Sequence, residues 1–262
     1  ATATTGNMTD SGALTIAGTT TLTTSADNAT IALDTTTNAF TGAVTITTND
    51  DSGTDADVTI DGGTTALILA ASTIDGDLTV RNGNSITDSG TLTVGGNLVA
   101  TTDANNGLIN LGTLAVDGTV ALTTNGSGNA TVVNDVRIIF AASTVGGNLA
   151  ATATTGNIRD NASVTVAGTS SFTTSANNAD IRLNNNNAFT GAVALNTTGS
   201  SGKATIDNGT TALILAASSV GGNLNVRSGN SITDSGTVTV GGTLVATTDA
   251  NNGVINLDQL AI

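Results

Sequence analysis

The sequence predicts an all-β fold, a right-handed parallel β-helix (β-solenoid) of about ten coils with three short strands per coil. Three observations lead to this prediction: the composition, a long internal repeat and a shorter repeat nested within it. The 262 residues include 54 Thr, 32 Gly and 30 Asn, but no Pro, Cys, His, Trp or Tyr. Threonine favours strands, and glycine and asparagine favour turns. With 38% apolar residues, the chain is too apolar for a disordered tail.

The long repeat gives about one and three-quarter copies of a unit near 150 residues. Ala1–Asn7 recurs as Ala151–Asn157, and Thr64–Ser72 recurs as Thr210–Ser218. Repeats of this kind indicate stacked units of one architecture. We therefore expect a single continuous solenoid over residues 1–262, built from a first copy (1–150) and a partial second copy (151–262).

The shorter repeat is marked by a glycine between two short apolar–polar alternations. Most of these glycines are 20 to 24 residues apart, and the three longer spacings predict coils with an extended loop or an extra strand. Tight bends need a positive φ or a close approach of neighbouring backbones, which glycine tolerates. We assign a structural turn role to ten glycines: Gly18, Gly42, Gly76, Gly96, Gly118, Gly147, Gly168, Gly191, Gly222 and Gly242.

The segment 98–118 shows how one coil is written in sequence. Apolar residues alternate with polar ones over three short stretches that are separated by a polar loop and a Gly bend. A period of two places one face of each strand in a core. The expected core residues are Leu98, Ile109, Leu111, Leu114 and Val116, with Ile255 and Leu257 in the second copy.

One such coil cannot bury its apolar face alone, but stacking on a copy buries it and pairs every strand with the coils above and below. Right-handed winding follows the preference of crossovers between parallel strands. The alternative, a β-sandwich, would require antiparallel hairpins with two-residue turns rather than a near-constant coil length. The regular spacing favours the solenoid.

Charge and composition exclude several classes of function. A net charge of −14 with six cations cannot neutralise a phosphate backbone, so we expect no nucleic-acid partner. No apolar run approaches the roughly 18 residues of a membrane-spanning helix, so we expect no membrane insertion. The absence of Cys and His removes thiolate and imidazole ligands, and we expect no cofactor.

Three phrases resemble a known family. Val145–Leu149, Ala151–Ile158 and Gly236–Leu244 are similar to repeats of the filamentous haemagglutinin-like (two-partner secretion) exoproteins of Gram-negative bacteria. The resemblance covers nearly the whole chain and implies a β-helical rod that passes through an outer-membrane transporter and is displayed on the cell surface or shed. It also implies roles in adhesion, biofilm or toxin delivery. The cut long repeat and the lack of a signal peptide lead us to expect a segment of a longer fibre.

Asparagine and aspartate recur at fixed places in the coils. We expect the loop asparagines to serve backbone geometry, because Asn accepts left-handed angles and bonds nearby backbone. They are Asn7, Asn28, Asn84, Asn106, Asn129, Asn157, Asn178, Asn230 and Asn252.

Four aspartates, Asp10, Asp88, Asp160 and Asp234, occupy matching places, and Asp103 matches Asp249. Carboxylates aligned on a rod could bind Ca²⁺. The candidate ligands for this alternative are Asp88, Asp234, Asp103 and Asp249. We predict no metal site, since calcium-binding nonapeptides and EF-hand loops are missing and a solvated acidic face explains the pattern.

Two further activities are weighed against the fold. Polysaccharide-cleaving β-helices need acid–base groups beside a groove. Here the cations are scattered, and Arg81 and Arg227 are equivalent positions of the long repeat, which indicates a structural role and no enzyme. Thr-x-Thr phrases such as Thr91–Thr93 are typical of ice-binding faces, but the phrase is intermittent along the chain, and exposed strands favour Thr in any case.

The sequence therefore favours a non-enzymatic extracellular rod or stalk, a repeat segment of a large secreted bacterial adhesin. The alternative is a subunit of a self-assembling extracellular filament, because an uncapped solenoid end is an open sheet edge. Expected partners are flanking repeats of the same chain or end-to-end copies, the outer-membrane transporter during export, and an unidentified surface receptor or glycan.

Overall fold

The computed structural model describes residues 1–49 and 55–262, and over these residues the chain is all-β. It forms a parallel β-solenoid with about 12 turns and no helix, which confirms the predicted fold class and is close to the predicted number of coils. The described part of the chain contains no helix with the length and apolarity of a membrane span. Two compact units are distinguished, Ala1–Asn134 (unit 1) and Asp135–Ile262 (unit 2).

Unit 1 is a succession of short strands, because its apolar residues alternate over two to four positions before a Gly, Asn or Asp breaks the pattern. Its strands are β1 (Thr2–Ala3), β2 (Met8–Thr9), β3 (Thr15–Ile16), β4 (Thr20–Thr24), β5 (Ile31–Leu33), β6 (Ala39–Phe40), β7 (Val44–Thr47), β8 (Val58–Asp61), β9 (Leu67–Leu69), β10 (Ser72–Ile74), β11 (Leu78–Asn82), β12 (Ile86–Asp88), β13 (Leu92–Val94), β14 (Leu98–Asn105), β15 (Ile109–Val116), β16 (Val120–Asn125) and β17 (Ala130–Asn134).

Unit 2 repeats this organisation. Its strands are β18 (Ile138–Phe140), β19 (Ser143–Val145), β20 (Leu149–Ala153), β21 (Ile158–Asp160), β22 (Val164–Val166), β23 (Ser170–Asn177), β24 (Ile181–Leu183), β25 (Ala188–Phe189), β26 (Val193–Thr198), β27 (Ala204–Asp207), β28 (Leu213–Leu215), β29 (Ser218–Val220), β30 (Leu224–Ser228), β31 (Ile232–Asp234), β32 (Val238–Val240), β33 (Leu244–Thr248), β34 (Ile255–Asn256) and β35 (Leu260–Ala261).

Strands one coil apart pair in parallel and build ladders. In unit 1 one ladder runs β2–β5–β8–β11–β14–β16, and another runs β1–β4–β7 and continues through β9 and β10, β12 and β13, and β15 to β17. Leu78 of β11 lies between Val58 of β8 and Leu98 of β14, so the coil at this point is 20 residues long. In unit 2 the corresponding ladders are β18–β21–β24–β27–β30–β33 and the one that runs from β20 through β23 and β26 to β34 and β35.

The prediction of an extra strand in the long coils is confirmed in unit 2. Between Gly191 and Gly222 lie four strands, β26 to β29, where a regular coil has three. The fourth strand arises because the chain breaks between Leu215 and Ser218, so that β26 pairs with both β28 and β29. The extra residues lengthen the coil without interrupting the ladder.

The core of each unit consists of the inward-facing side chains of these ladders. In β11, Leu78 and Val80 are fully buried, whereas the intervening residues face outward. In unit 2 the rings of Phe140 and Phe189 meet Phe172 edge-on, with centroids 6.1 and 5.5 Å away. The aliphatic and aromatic stack supplies the apolar burial that holds neighbouring coils together.

The predicted core is confirmed in unit 1 and wrong at one position in unit 2. The five core residues predicted between Leu98 and Val116 are buried, with at most 2% of their surface exposed. Ile255, the equivalent of Ile109, is 45% exposed, and Leu257 is half-buried. The reason is the ladder: β34 pairs with β31 on one side, and among the described residues no strand covers its other side.

Candidate functional site

The predicted turn glycines stack on one another from coil to coil. The N–H of Gly96 donates to the carbonyl of Gly76, and the N–H of Gly118 donates to that of Gly96, both at 3.0 Å. A Cβ at Gly118 would lie 2.7 Å from the carbonyl carbon of Gly96, closer than real Cβ contacts allow. The same N–H to carbonyl bonds connect Gly147, Gly168 and Gly191, and Gly222 and Gly242, in unit 2.

Close approach, and not a positive φ, is therefore what these bends require. The glycines with positive φ are Gly63, Gly126, Gly199 and Gly209, which the glycine spacing did not single out. Gly18 differs from the other turn glycines, since a Cβ there would meet nothing within 4 Å. Gly42, one coil later, would meet the backbone of Gly18 and Thr19.

A polar residue follows each stacked glycine and caps the next coil. The Asp77 Oδ1 accepts the N–H of Asn97 at 2.6 Å, and the Asn97 Oδ1 accepts the N–H of Thr119 at 2.9 Å. In unit 2, Asn148 does the same for Thr169 at 2.8 Å. Sequence reasoning missed this column, although the signal was present as an Asp, Asn or Thr directly after each bend glycine.

The four matching aspartates share one structural role. The carboxylate of Asp88 accepts the N–H of Gly112 at 3.0 Å and both the N–H and the hydroxyl of Thr113, at 2.7 and 2.8 Å. Asp234, its equivalent, accepts the N–H of Gln259 at 2.8 Å. These oxygens face donors in the bend one coil later, which is how a carboxylate satisfies backbone N–H groups that leave a strand.

The other two aspartates of the matching set follow the same logic. Asp160 accepts the N–H of Asn185 at 3.0 Å and the side-chain amide of Asn187 at 2.7 Å, and Asp10 accepts the amide of Asn38 at 2.8 Å. The four positions therefore act as bend caps in both copies of the long repeat. Among the described residues, no group of three or more Asp side chains is gathered so that it could hold a metal ion.

The remaining calcium candidates, Asp103 and Asp249, are ion-pair partners. The Arg81 Nε donates to Asp103 at 2.5 Å and lies 4.0 Å from Asp61, one coil on either side. Arg227 repeats the arrangement with Asp249 at 2.8 Å and Asp207 at 3.5 Å. Each arginine is thus the middle member of an Asp–Arg–Asp row across three coils, consistent with the structural role predicted for Arg81 and Arg227.

The environment of this row shifts two kinds of pKa. Burial raises the pKa of the Asp61 carboxyl, and the N–H of Gly63 and the charge of Arg81 oppose that shift. The hydrogen bonds to Asp103 and Asp249 raise the pKa of the Arg81 and Arg227 guanidinium groups. The arginines are more than half exposed, so these pairs are screened by solvent and contribute modestly to stability.

A shallow groove surrounds the row in unit 2. Asn187, Asp207, Gly209, Arg227 and Asp249 line it, and its polar groups already bond to one another or to backbone. The arrangement can offer hydrogen bonds to a hydroxylated ligand. It does not pair a nucleophile with a general base in the manner that covalent catalysis needs.

The loop asparagines behave as the sequence predicts. Asn28, Asn106 and Asn178 have φ values of 58°, 69° and 61°, in the left-handed region that Asn accepts. The Asn157 Oδ1 accepts the N–H of Asp180 one coil later, at 2.7 Å, and the Asn7 Oδ1 accepts the N–H of Thr30 at 3.0 Å. These amides join successive coils.

A second group of asparagines is buried, and sequence reasoning missed it. Asn134 accepts the N–H of Val116 and donates to its carbonyl, both at 2.9 Å, so that the side chain substitutes for a strand. Asn208 does the same for Phe189, at 2.7 and 3.0 Å. Both side chains are fully buried. Nothing in the local sequence separates these residues from the loop asparagines, because their partners lie a whole coil earlier.

A comparison with known proteins identifies the repeat family. The family model described as "Repeats of unknown function (DUF5649)" matches residues 1–47, 55–106, 127–196 and 201–261. No curated protein and no solved structure shows significant similarity to the chain. The similarity to filamentous haemagglutinin-like exoproteins stays a prediction. Because the four matches cover most of the chain, the protein belongs to this family of repeats of unknown function.

Proposed function

We propose that the chain is a non-enzymatic structural segment of an extracellular bacterial surface protein, in which stacked coils act as a stiff spacer. One observation carries the proposal: polar side chains throughout both units bond to residues one coil away. The Asp77, Asn97 and Asp88 carboxylate and amide oxygens all accept N–H groups 20 to 25 residues later in the chain.

Side-chain bonds of this kind add to the ladder bonds and bind each coil to the next. In a solenoid, stability is close to a sum of coil stabilities and the interfaces between neighbours. Polar groups that a ligand site would leave free are here engaged in those interfaces. The arrangement therefore supports a mechanical role over a catalytic one.

The extracellular location rests on the resemblance of phrases such as Val145–Leu149 to secreted exoproteins. On this proposal the chain crosses the outer membrane through a dedicated transporter and presents neighbouring segments to a surface receptor or glycan. Labelling of intact cells of the native bacterium with an antibody against residues 1–262 tests it. We expect surface labelling that mild external protease removes and that a transporter deletion abolishes; antigen confined to the cell interior would refute it.

The spacer role makes a separate, quantitative prediction. Each coil adds about 4.8 Å along a stack of strands. If whole copies of the long repeat are inserted into the native protein, an epitope beyond them should move away from the cell surface in proportion to the number of coils. A reach that does not change with the number of copies would contradict the spacer role.

A self-assembling filament is the second candidate. It is favoured by the apolar side chains of the last strands, since Val254, Ile255 and Ile262 are 57%, 45% and 76% exposed. A second copy stacked on them would bury this surface. We expect such a filament to grow with protein concentration in sedimentation and electron microscopy, and Leu260→Asp to prevent growth. A monomer at all concentrations favours the spacer.

A further inference from the structure

One outer face of unit 1 carries a column of threonines in register. Thr23 of β4 pairs with Thr47 of β7, Thr47 pairs with Thr73 of β10, and Thr73 pairs with Thr93 of β13. These are direct backbone partners on successive coils. Their side chains therefore lie about 4.8 Å apart in a row across the sheet.

A second column lies two residues earlier on the same strands. Its members are Thr21, Thr45, Ala71 and Thr91, and Thr21 pairs directly with Thr45. Because side chains alternate between faces, residues two apart share a face, about 6.7 Å from each other. The residues between the two columns, such as Leu22 and Leu92, are buried.

The two columns form what we term the threonine grid: Thr21, Thr23, Thr45, Thr47, Ala71, Thr73, Thr91 and Thr93. Seven of the eight positions are Thr and none is charged. Five of the seven threonines are exposed, and Thr23 and Thr45 are half-buried. The grid ends at the next coil, where the hydroxyl of Thr113 donates to Asp88 and so points away from the array.

The fold alone does not demand these threonines. The equivalent positions of unit 2 have the same strands and registers, with pairs such as Thr173 to Asn196 and Ser219 to Thr239. Only three of those eight positions are Thr; the set is Ser171, Thr173, Ala194, Asn196, Ala217, Ser219, Thr237 and Thr239. The general preference of exposed strands for Thr would act equally in both units.

The other ladder of unit 1 gives a second comparison. Its outward-facing column runs through Ala32, Thr59, Thr79, Val99 and Ala121. Here small, apolar and hydroxyl-bearing residues are mixed. The regular array is therefore a property of one face of one unit.

The chemistry of the grid fits a ligand that repeats in two directions. Each Thr offers a hydroxyl that donates one hydrogen bond and accepts two, beside a methyl group. Fixed in rows by the backbone, such hydroxyls hold bridging waters at regular spacings, and the methyl groups keep those waters from disordered alternatives. The surface of ice presents water oxygens in rows on this length scale. A crystalline polysaccharide is disfavoured, because the grid has no aromatic ring on which a sugar could stack.

We propose that the threonine grid of unit 1 is an ice-binding face. It goes beyond the spacer role, since a spacer needs no regular outer face. Its test is the thermal hysteresis of the purified 262-residue chain, together with the rate of ice recrystallisation. We expect a measurable gap between melting and freezing temperatures, shaped ice crystals and slowed recrystallisation.

Matched variants separate the grid from the rest of the surface. Thr73→Tyr places a bulky ring in the middle of the grid, and Ser219→Tyr places the same ring at the equivalent exposed position of unit 2. We expect Thr73→Tyr to lose most of the hysteresis and Ser219→Tyr to keep it, with both variants retaining the wild-type melting temperature. Absence of hysteresis in the wild-type chain overturns the proposal, as does equal activity of the two variants. If Thr73→Tyr fails to fold, Thr93→Lys replaces it in the same comparison with Thr239→Lys.

Discussion

The two copies of the long repeat differ by a coupled exchange of single residues. Gly62 in the first copy corresponds to Asn208 in the second, and Asn82, one coil later, corresponds to Ser228. Asn82 is fully buried, and a Cβ at Gly62 would lie 2.7 Å from its Oδ1. In unit 2 the asparagine occupies the earlier coil and the smaller serine the later one. One buried amide thus fits at this level of either unit, and two do not.

Gly62→Asn is expected to destabilise the chain by about 2 kcal/mol, because the new side chain overpacks against Asn82. Adding Asn82→Ser should recover most of that loss, since it recreates the arrangement of Asn208 and Ser228. Urea unfolding of the wild type, both single variants and the double variant gives the coupling free energy, expected at about 1–2 kcal/mol. Strictly additive effects would show that the two side chains do not compete.

Part of this residue-level detail could be predicted from sequence and part could not. The left-handed angles of Asn28, Asn106 and Asn178 follow from the intrinsic preference of Asn and from loop context. The buried roles of Asn134 and Asn208 depend on which residue lies directly beneath them. That depends on the length of the preceding coil, which varies along the chain.

At the scale of the bend between strands, backbone contact limits what the coils tolerate. A Cβ at Gly96 would lie 2.8 Å from the carbonyl carbon of Gly76 and 2.9 Å from the amide nitrogen of Asp77. The hydrogen bond between the two glycines holds these backbones together, so the contact cannot open without loss of the bond. The bend is therefore a joint between two coils.

Gly96→Ala is expected to cost about 2 kcal/mol by overpacking this joint. Gly18→Ala is the matched control, because Gly18 is a turn glycine of the same class and a methyl group there would meet no atom within 4 Å. We expect the control to change stability by less than about 0.5 kcal/mol. Thermal or urea unfolding measures both, and a Gly96→Ala variant as stable as Gly18→Ala would show that the joint yields.

The elements illustrate why strand positions are predictable and side-chain partners are not. The alternation around Ile109 and Leu114 defines two inward faces without reference to the rest of the chain. The pairing of Arg81 with Asp103 follows from a separation of 22 residues, about one coil, once the register is known. Without the register, Asp103 and Asp249 resemble calcium ligands.

Over the whole molecule, 20 carboxylates face six cations, and one carboxylate is distinctly unfavourable in its charged form. Asp61 is 5% exposed, and its burial raises its pKa above the ordinary value of 3.8. Between 3.8 and the raised pKa the folded state binds more protons than the unfolded state. Stability contributed by this group is therefore lost as the pH rises through that window.

Asp61→Asn should remove this loss while keeping an oxygen that can accept the N–H of Gly63. The free energy of unfolding of the variant, relative to the wild type, is expected to rise with pH through the window and then to level off. Urea unfolding at a series of pH values measures the difference. Parallel curves for the two proteins would show that the charged form of Asp61 is not penalised.

At this scale the fold is accessible from sequence because every coil repeats the same physical problem and the same solution. The exposed Ile255 shows the limit of that reasoning. Its sequence context matches the buried Ile109, yet burial depends on the presence of a neighbouring coil and not on the residue's own pattern. Receptor, location and transporter leave no such repeated signature.

The hydrogen-bonded glycine bends have a consequence for inheritance. A change in one coil is felt by the next, so the gene can exchange material between its two copies safely only when adjoining coils travel together. A crossover that joined the Gly62 coil to Ser228 would leave a hole, and one that joined the Asn208 coil to Asn82 would leave a collision. Viable recombinants should therefore carry their breakpoints outside this pair of coils.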